Sequence, residues 1–191
     1  MFYPDYISCL KLLTDAGVSA GVLKHVKAVY HFAVIIGNRL IRQGYEVNMP
    51  LLEAGSLLHD IGRSKTHDLS HAVAGGEIAE RLGLPYDIIS IVRNHIGAGI
   101  TKEEAIENGL PPQDFIPVSL EEKIVAAADN LAFGDELQTI WQHEQNLLRH
   151  GVIEGAKRCV TLHQELSGLC GIDLDVILSE QITVRNNSRC F

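Results

Sequence analysis

A histidine and an aspartate stand side by side in the run Leu-Leu-His-Asp-Ile-Gly-Arg, residues 57–63. An imidazole nitrogen beside a carboxylate oxygen is half of a divalent-metal site. Adjacent residues on a helix point about 100° apart, so His59 and Asp60 converge on one small object only where the helix ends. Gly62, two positions after the aspartate, is suited to ending a helix. The pair therefore predicts two metal ligands at the end of an apolar helix.

Two more candidate ligands lie in apolar helical runs on either side of this pair. His25 precedes Val26, which belongs to the core-facing stripe of a long predicted helix. Asp129 follows three alanines, and a carboxylate in so apolar a run is costly to bury unless a cation or hydrogen bonds compensate. The alternative for Asp129 is exposure on a polar helix face with Glu122, and the alternative for His25 is an ordinary half-exposed histidine. Both interpretations stay open from the residue pattern alone.

Two further histidines, His71 and His95, stand at predicted helix ends, where a side chain can reach into a site between elements or merely cap its own helix. The pattern gives the other histidines no role in the site. His31 falls on the opposite side of the helix from His25, and His67 lies in a polar loop. Trp141 is expected in the core, whereas three histidines are expected on the surface: His143, His150 and His163.

The composition is that of a globular chain with one core. It has 191 residues, 46% of them hydrophobic, so we expect a single domain over residues 1–191. The net charge of −8, without a block of lysine or arginine, argues against broad nucleic-acid binding. The chain has no apolar run near the roughly 20 residues of a membrane span and no signal-peptide pattern, so we expect a cytoplasmic protein without membrane association. The scattered cysteines are expected to be reduced thiols: Cys9, Cys159, Cys170 and Cys190.

Hydrophobic residues recur at three- and four-residue steps along most of the chain, which favours helices. Such helices are predicted at residues 19–43, 48–60, 70–82, 85–95, 101–109, 119–133, 135–150 and 152–169. Asn48, Ser70 and Thr101 are suited to capping three of them. The proline-containing segment 110–118 predicts a loop, and the tail from Gln181 is expected to be frayed. We therefore predict an all-α fold, a compact helical bundle.

The order of these residues resembles the HD superfamily of metal-dependent phosphohydrolases, in particular its small single-domain, HDIG-type members. Residues 57–63 match the family's Leu-Leu-His-Asp-Ile-Gly-Lys run, except that arginine replaces the lysine. The resemblance covers a core motif region of about residues 19–133, followed by the C-terminal helices at 135–180, and implies a bundle of the HD-domain type. Carried over position by position, it implies four metal ligands: His25, His59, Asp60 and Asp129.

The resemblance also gives roles to the two histidines at helix ends. His71 and His95 match residues that hold a second metal in two-metal members of the family, with Asp60 bridging, and that face the substrate phosphate in one-metal members. Ile96 stands where the family often has a second histidine, which leaves the number of ions open at one or two. The implied catalytic residues are Asp60, His71 and His95, with a metal-activated water attacking phosphorus.

Arg63 and Lys65 follow the central pair and are the expected phosphate contacts, because guanidinium geometry matches two phosphate oxygens; surface solvation is the alternative for both. The mixed imidazole and carboxylate ligands suit Mn²⁺, Fe²⁺, Co²⁺ or Ni²⁺ and tolerate Mg²⁺ or Zn²⁺. The resemblance implies hydrolysis of a nucleotide or another small phosphoester: a phosphomonoester, a phosphodiester or a dinucleoside polyphosphate. The alternatives are a non-catalytic, metal-stabilised module that binds a nucleotide or a partner, and an HD-like di-iron oxygenase.

The C-terminal helices carry more apolar residues than a short helical hairpin needs. This excess favours a homodimer that forms through them. The residues concerned are Val152, Ile153, Val160, Leu166 and Leu169.

Overall fold

The structure, a computed structural model, describes residues 2–188 of the chain, with side-chain surroundings up to residue 181. Helices dominate this part, which confirms the predicted all-α bundle. The first five helices are α1 (Tyr6–Ala16), α2 (Ala20–Arg42), α3 (Met49–Leu58), α4 (His71–Arg81) and α5 (Tyr86–Asn94). The next five are α6 (Lys102–Glu107), α7 (Leu120–Asn130), α8 (Ile140–Arg149), α9 (Ile153–Cys170) and α10 (Leu174–Ser188). A 3₁₀ turn (Ile61–Ser64) and a short antiparallel hairpin, β1 (Ala132–Phe133) with β2 (Glu136–Leu137), complete the described elements.

The core is organised around the long helix α2, which packs against α3, α7, α9 and α10. The apolar stripe to which Val26 belongs is buried along the whole helix: Val22, Val26, Val29, Ala33, Ile36 and Leu40. Helix α3 is buried around most of its circumference, since Leu51, Leu52, Leu57 and Leu58 all lie in the same core. Such an all-round apolar helix is stable only inside the bundle. Its C-terminal end therefore delivers whatever follows it to the interior.

Side-chain caps fix several helix starts. Ser19, Asn48 and Thr101 each accept a hydrogen bond from a backbone N–H in the first turn of α2, α3 and α6. Ser70 stands at the N-cap position of α4, as predicted, but its side chain makes no capping hydrogen bond. Its hydroxyl instead donates to the Asp68 carboxylate in the preceding turn, at 2.5 Å, so the turn rather than the cap fixes where α4 begins.

Three elements differ from the prediction. Helix α1 was not predicted, although Asp5 accepts from the backbone N–H of Ser8 to begin it and Gly17, with φ of +85°, ends it. The predicted helix over 135–150 begins only at Ile140, because Gly134, with φ of +63°, turns the preceding residues into a hairpin. The tail expected to be frayed from Gln181 continues helix α10 as far as residue 188.

Burial corrects two expectations about single residues. Trp141 is 65% exposed on α8 rather than in the core, since no residue of that helix is fully buried. His163 is buried rather than at the surface, and its Nε2 lies 3.3 Å from Oδ2 of Asp173. Of the residues expected to form a dimer contact, Leu166 is buried in the core of its own chain, while Val152 and Ile153 are exposed.

The cysteines that the structure describes carry free, buried thiols: Cys9, Cys159 and Cys170. Cys190 lies outside the described residues. Across the helices of residues 2–188, none combines the length and the hydrophobicity that crossing a bilayer would require.

Candidate metal centre

Six polar side chains from separate parts of the chain meet at one end of the buried helix α3. His59 ends that helix, and Asp60 precedes the 3₁₀ turn. The other four come from α2, the first position of α4, the residue after α5, and α7: His25, His71, His95 and Asp129. All six predicted metal-binding residues therefore lie together, although up to 104 positions separate them along the sequence.

Four of these side chains form a first group. Oδ1 of Asp129 lies 2.9 Å from Nε2 of His25 and 3.6 Å from Nε2 of His59. Oδ2 of Asp60 lies 3.7 Å from Nε2 of His25 and 3.8 Å from Nε2 of His59. Two imidazole nitrogens thus face two carboxylate oxygens around a space small enough for one ion.

A second group shares the same aspartate. Oδ1 of Asp60 lies 3.1 Å from Nε2 of His71 and 3.5 Å from Nε2 of His95. The two imidazole Nε2 atoms are only 3.1 Å from each other. The two carboxylate oxygens of Asp60 therefore face different pairs of histidines, as a carboxylate that bridges two cations would.

The hydrogen bonds of the four histidines fix their tautomers. In each ring Nδ1 lies 2.6–2.8 Å from a backbone carbonyl oxygen, which can only accept, so Nδ1 carries the proton. The carbonyl acceptors belong to Gly134, Ser56, Asp68 and Val92 for His25, His59, His71 and His95 in that order. In the neutral rings each Nε2 then presents a lone pair to the centre, which is the form that binds metal ions.

The atoms left without partners match a cation. Nε2 of His59 and Oδ1 of Asp60 are buried and have no hydrogen-bond partner, and both are acceptors. The neighbouring Nε2 atoms of His71 and His95 point their lone pairs at each other, an arrangement that is unfavourable unless positive charge lies between them. The residues present thus fit a divalent cation, and the donor set of imidazole nitrogen and carboxylate oxygen suits a transition metal.

The same geometry keeps both carboxyl groups ionised. Burial raises the pKa of Asp60, but the attraction of its negative charge to the surrounding imidazoles, first His59 and then His71 and His95, outweighs burial and holds the pKa well below its usual range. For Asp129 burial is likewise outweighed by His25 and His59, so its pKa is also held well below its usual range. Both groups are therefore available as anionic ligands at neutral pH.

Two glycines set the approach of α4 to the 3₁₀ turn. A Cβ on Gly62 would lie 1.9 Å from the carbonyl oxygen of His71 and 2.5 Å from the backbone nitrogen of Gly75. Gly62 does not have a positive φ and lies within the 3₁₀ turn, so it does not end α3 by a left-handed turn. Its missing side chain instead lets α4 approach closely, which brings His71 to the oxygen of Asp60.

Comparison with known proteins agrees with this geometry. The HD domain family matches residues 22–134, which include all six of these side chains. The chain belongs to the HD domain family. Among solved structures, the HD domain of the phosphodiesterase PgpH of Listeria monocytogenes, in complex with cyclic-di-AMP, has a TM-score of 0.50. It is 19% identical, and the match covers 83% of this chain and 96% of that one, so it shows the fold.

Sequence relatives carry several names. A tRNA (cytidine(56)-2'-O)-methyltransferase of Thermoplasma volcanium is 42% identical over 91% of this chain, which spans only 50% of that relative. An uncharacterized protein of Methanocaldococcus jannaschii is 45% identical, over 88% of this chain and 99% of its own length. A Ribonuclease Y of Thermosipho melanesiensis is 35% identical over 68% of this chain and 22% of its own. The shared part is thus an HD domain that occurs in proteins of different names and lengths.

A cavity of about 710 Å³ opens beside the HD histidines and aspartates. Arg63 lines it and donates from Nε to Oδ2 of Asp60, at 2.6 Å, while another nitrogen of its guanidinium donates to the carbonyl of His67, at 3.3 Å. His67 also lines the cavity, so it borders the site from the loop in which it was predicted. Lys65 is exposed and is not among the residues that line the cavity.

The cavity continues beyond the residues that the HD domain family matches. Helices α8 and α9 supply part of its wall, with His143 and Arg158 among the lining residues. The expectation that His143 is a surface residue is therefore wrong: it is half-buried in that wall. Asn146 and Leu147, three and four positions further along α8, line the cavity as well. Residues at this spacing share one face of a helix, so the sequence could have indicated that His143 lies on the same face as Leu147.

Proposed function

We propose that the protein is a metal-dependent phosphohydrolase that acts on a nucleotide or another small phosphoester. Membership of the HD domain family supports hydrolysis of phosphoesters in general. The observation that carries the proposal is the position of Asp60, whose two oxygens face two different pairs of histidine Nε2 atoms. A network of ordinary hydrogen bonds would place N–H or O–H donors opposite a carboxylate. Here four imidazole lone pairs face it instead, which favours a cation between them.

In this proposal His25, His59, Asp60 and Asp129 hold one divalent ion. The ion is Mn²⁺, Fe²⁺, Co²⁺ or Ni²⁺, with Mg²⁺ or Zn²⁺ as further candidates. When bound, it would supply positive charge for the phosphoryl oxygens and lower the pKa of water. The position of His71, whose Nε2 is 3.1 Å from Oδ1 of Asp60, supports a second ion with Asp60 as the bridge. With one ion only, the same histidine would face the substrate phosphate.

The chain's own residues orient the substrate. Arg63 reaches the cavity with its guanidinium while Nε contacts Asp60, so a phosphate that enters would meet donors already beside the catalytic carboxylate. His71 and His95 stabilise the transferring group. Lys65, which is exposed directly after the 3₁₀ turn, contributes positive charge at longer range and not a direct contact.

A phosphodiester in RNA is the second candidate substrate. Relatives of this chain are named Ribonuclease Y and tRNA (cytidine(56)-2'-O)-methyltransferase, but the chain spans only part of each of them. The net charge of −8 makes a long polyanion a poor partner. We therefore place a small nucleotide first and include a short RNA in the test.

The motif region 19–133 and the C-terminal helices 135–180 act together in this proposal as one HD-type domain. The packing of α9 and α10 against α2, and the contribution of α8 and α9 to the cavity wall, support it.

The test is phosphate release by protein that has been stripped of metal and reloaded with Mn²⁺, Co²⁺, Ni²⁺, Mg²⁺, Zn²⁺ or Fe²⁺. The substrates are p-nitrophenyl phosphate, nucleoside monophosphates, cyclic nucleotides, dinucleoside polyphosphates and a short RNA. The double variant His59→Ala/Asp60→Ala is the blank, and His150→Ala, which changes an exposed histidine outside the cavity, is the matched control. Turnover in the wild type and control but not in the blank is expected.

Silence across the panel in protein that retains its ion would contradict the proposal. Nucleotide binding without turnover would then indicate the non-catalytic module. Oxygen consumption with a non-phosphorylated substrate, in protein loaded with iron, would indicate the di-iron oxygenase.

A further inference from the structure

We propose that the end of the cavity bounded by α8 and α9 binds the nucleoside of the substrate, with His143 and Arg158 as its recognition residues. This inference rests on the proposed function, since it assumes that the phosphate of the same molecule lies at the metal centre. It adds the chemical class of the part of the substrate that does not react, and it names the residues that recognise that part. Both residues lie outside the segment that the HD domain family matches.

His143 presents a donor that nothing in the described chain satisfies. The amide nitrogen of Gln138 donates to the backbone carbonyl of Asn130, at 2.9 Å, which fixes the orientation of the amide. The same nitrogen lies 3.4 Å from Nδ1 of His143, which must therefore be an acceptor, so the ring proton is on Nε2. That Nε2 is buried and has no hydrogen-bond partner. This tautomer is the opposite of the one shown by the four histidines of the metal centre.

Arg158 presents a second donor of the same kind. One of its terminal nitrogens donates to the Glu104 carboxylate, at 2.6 and 2.8 Å, and to the carbonyl of Gly99, at 3.1 Å. Its Nε is buried and has no partner. A buried N–H without an acceptor costs free energy, so an acceptor that arrives with a ligand is bound favourably.

The unpartnered atoms therefore give the site two chemically different ends. Beside the metal centre, Nε2 of His59 and Oδ1 of Asp60 are acceptors that need a cation. In the wall formed by α8 and α9, His143 and Arg158 hold donors that need acceptors. A ligand complementary to both ends has an anionic group that binds the cation and, at its other end, neutral groups that accept hydrogen bonds.

The second end is not suited to another phosphate. The charge of Arg158 is neutralised by Glu104, which lines the same cavity. Apolar side chains also line the cavity, with Ile100 and Leu147 among them. Phe133, at the hairpin, also lines the cavity and is 69% exposed, as an aromatic ring available for stacking would be. A flat ring with carbonyl or ring-nitrogen acceptors, a nucleobase on its ribose, fits these walls.

The experiment compares the binding of nucleoside monophosphates with that of inorganic phosphate. Isothermal titration of the full chain, loaded with Zn²⁺, uses AMP, GMP, CMP, UMP, ribose 5-phosphate and inorganic phosphate as probes. At least one nucleotide should bind about tenfold or more tightly than both ribose 5-phosphate and inorganic phosphate. This ratio corresponds to the binding free energy that one stacked base contributes. Equal binding of all six probes, or no binding of any, would overturn the inference.

The variants assign the effect to these residues. His143→Phe keeps an aromatic ring but removes the N–H donor. It should reduce the ratio of nucleotide affinity to phosphate affinity about three- to tenfold, which corresponds to the loss of one hydrogen bond. His143→Gln, which restores an N–H, should recover most of the ratio. Arg158→Lys keeps the charge opposite Glu104 but removes the Nε donor and should reduce the ratio similarly. His150→Phe alters an exposed histidine directly after the same helix and should leave the ratio unchanged.

A ratio that the His143 and Arg158 variants leave intact would overturn the inference, with circular dichroism checking that they fold. Failure of the proposed function gives a different result. If the wild type hydrolyses neither p-nitrophenyl phosphate nor any nucleotide while the affinity ratio and its loss in the variants persist, the phosphohydrolase is refuted and the nucleoside subsite stands.

Discussion

The replacement of Gly62 by alanine should damage both stability and metal binding. A Cβ at this position would lie 1.9 Å from the carbonyl oxygen of His71, 2.5 Å from the nitrogen of Gly75 and 2.9 Å from the Cα of Gly75. Real Cβ atoms essentially never approach heavy atoms within 3.0 Å, and all three neighbours are backbone atoms. The first turn of α4 must therefore move away from the 3₁₀ turn by at least about 1 Å.

The size of the effect follows from where that movement falls. Overpacking in a well-packed interior costs about 1–3 kcal/mol, and a backbone clash belongs at the upper end, so we expect Gly62→Ala to lower the free energy of unfolding by about 3 kcal/mol. For a chain of this size, that corresponds to a fall in Tm of about 6–12 °C. Because His71 is displaced from Asp60, affinity for the metal should also fall by about 10–100-fold.

Calorimetry of the metal-free protein and competition with a chelator measure the two effects separately. Gly168→Ala is the matched control, since a Cβ there, in the last turn of helix α9, meets nothing within 4 Å. The same chemical change should there raise the free energy of unfolding by about 0.5–1 kcal/mol. If Gly62→Ala melts at the wild-type temperature and holds its metal equally well, the close approach of α4 does not position the site.

Three further predictions concern the titratable groups of the site. In the metal-free protein burial lowers the pKa of His25, but the hydrogen bond and charge of Asp129 outweigh it and raise the pKa to about 9. Since a metal must displace that proton, affinity for Zn²⁺ should increase as the pH rises towards 9 and then level off; a flat titration would be inconsistent with ligation by His25. Long-range ¹H–¹⁵N spectra of the metal-free protein should show the proton of His59 on Nδ1 and that of His143 on Nε2, and identical tautomers would refute the hydrogen-bond assignment. The double variant His59→Ala/Asp60→Ala should lose bound metal, measured by elemental analysis, while its circular dichroism stays helical; a variant that keeps its metal would exclude both as essential ligands.

The sequence predicted the parts of this structure that depend on local chemistry. The apolar stripe of α2 and the all-round apolar α3 follow from residue spacing alone, because each helix must bury those residues. The convergence of His25 and Asp129 on the central pair is not local, and it was predicted through the resemblance to a family.

The parts that sequence analysis missed depend on contacts between distant residues. The start of α8 is set by the hairpin turn at Gly134 and by the Asp175 carboxylate, which accepts from the backbone N–H of Ile140 at 3.2 Å. Neither contact is visible in helical periodicity, so the prediction had α8 begin five residues too early and left His143 at the surface. The role of Gly62 was missed for the same reason, since its close neighbour is the backbone of another helix.

Anomalous diffraction at the zinc absorption edge, from crystals grown with Zn²⁺, would locate the metal ions directly. We expect a peak at about 2.0–2.2 Å from Nε2 of His25 and of His59 and from carboxylate oxygens of Asp60 and Asp129. A second peak between Asp60 and the other histidines would establish two ions. Peaks found only elsewhere, such as beside His163, or no peak at all, would contradict the assignment of the metal centre.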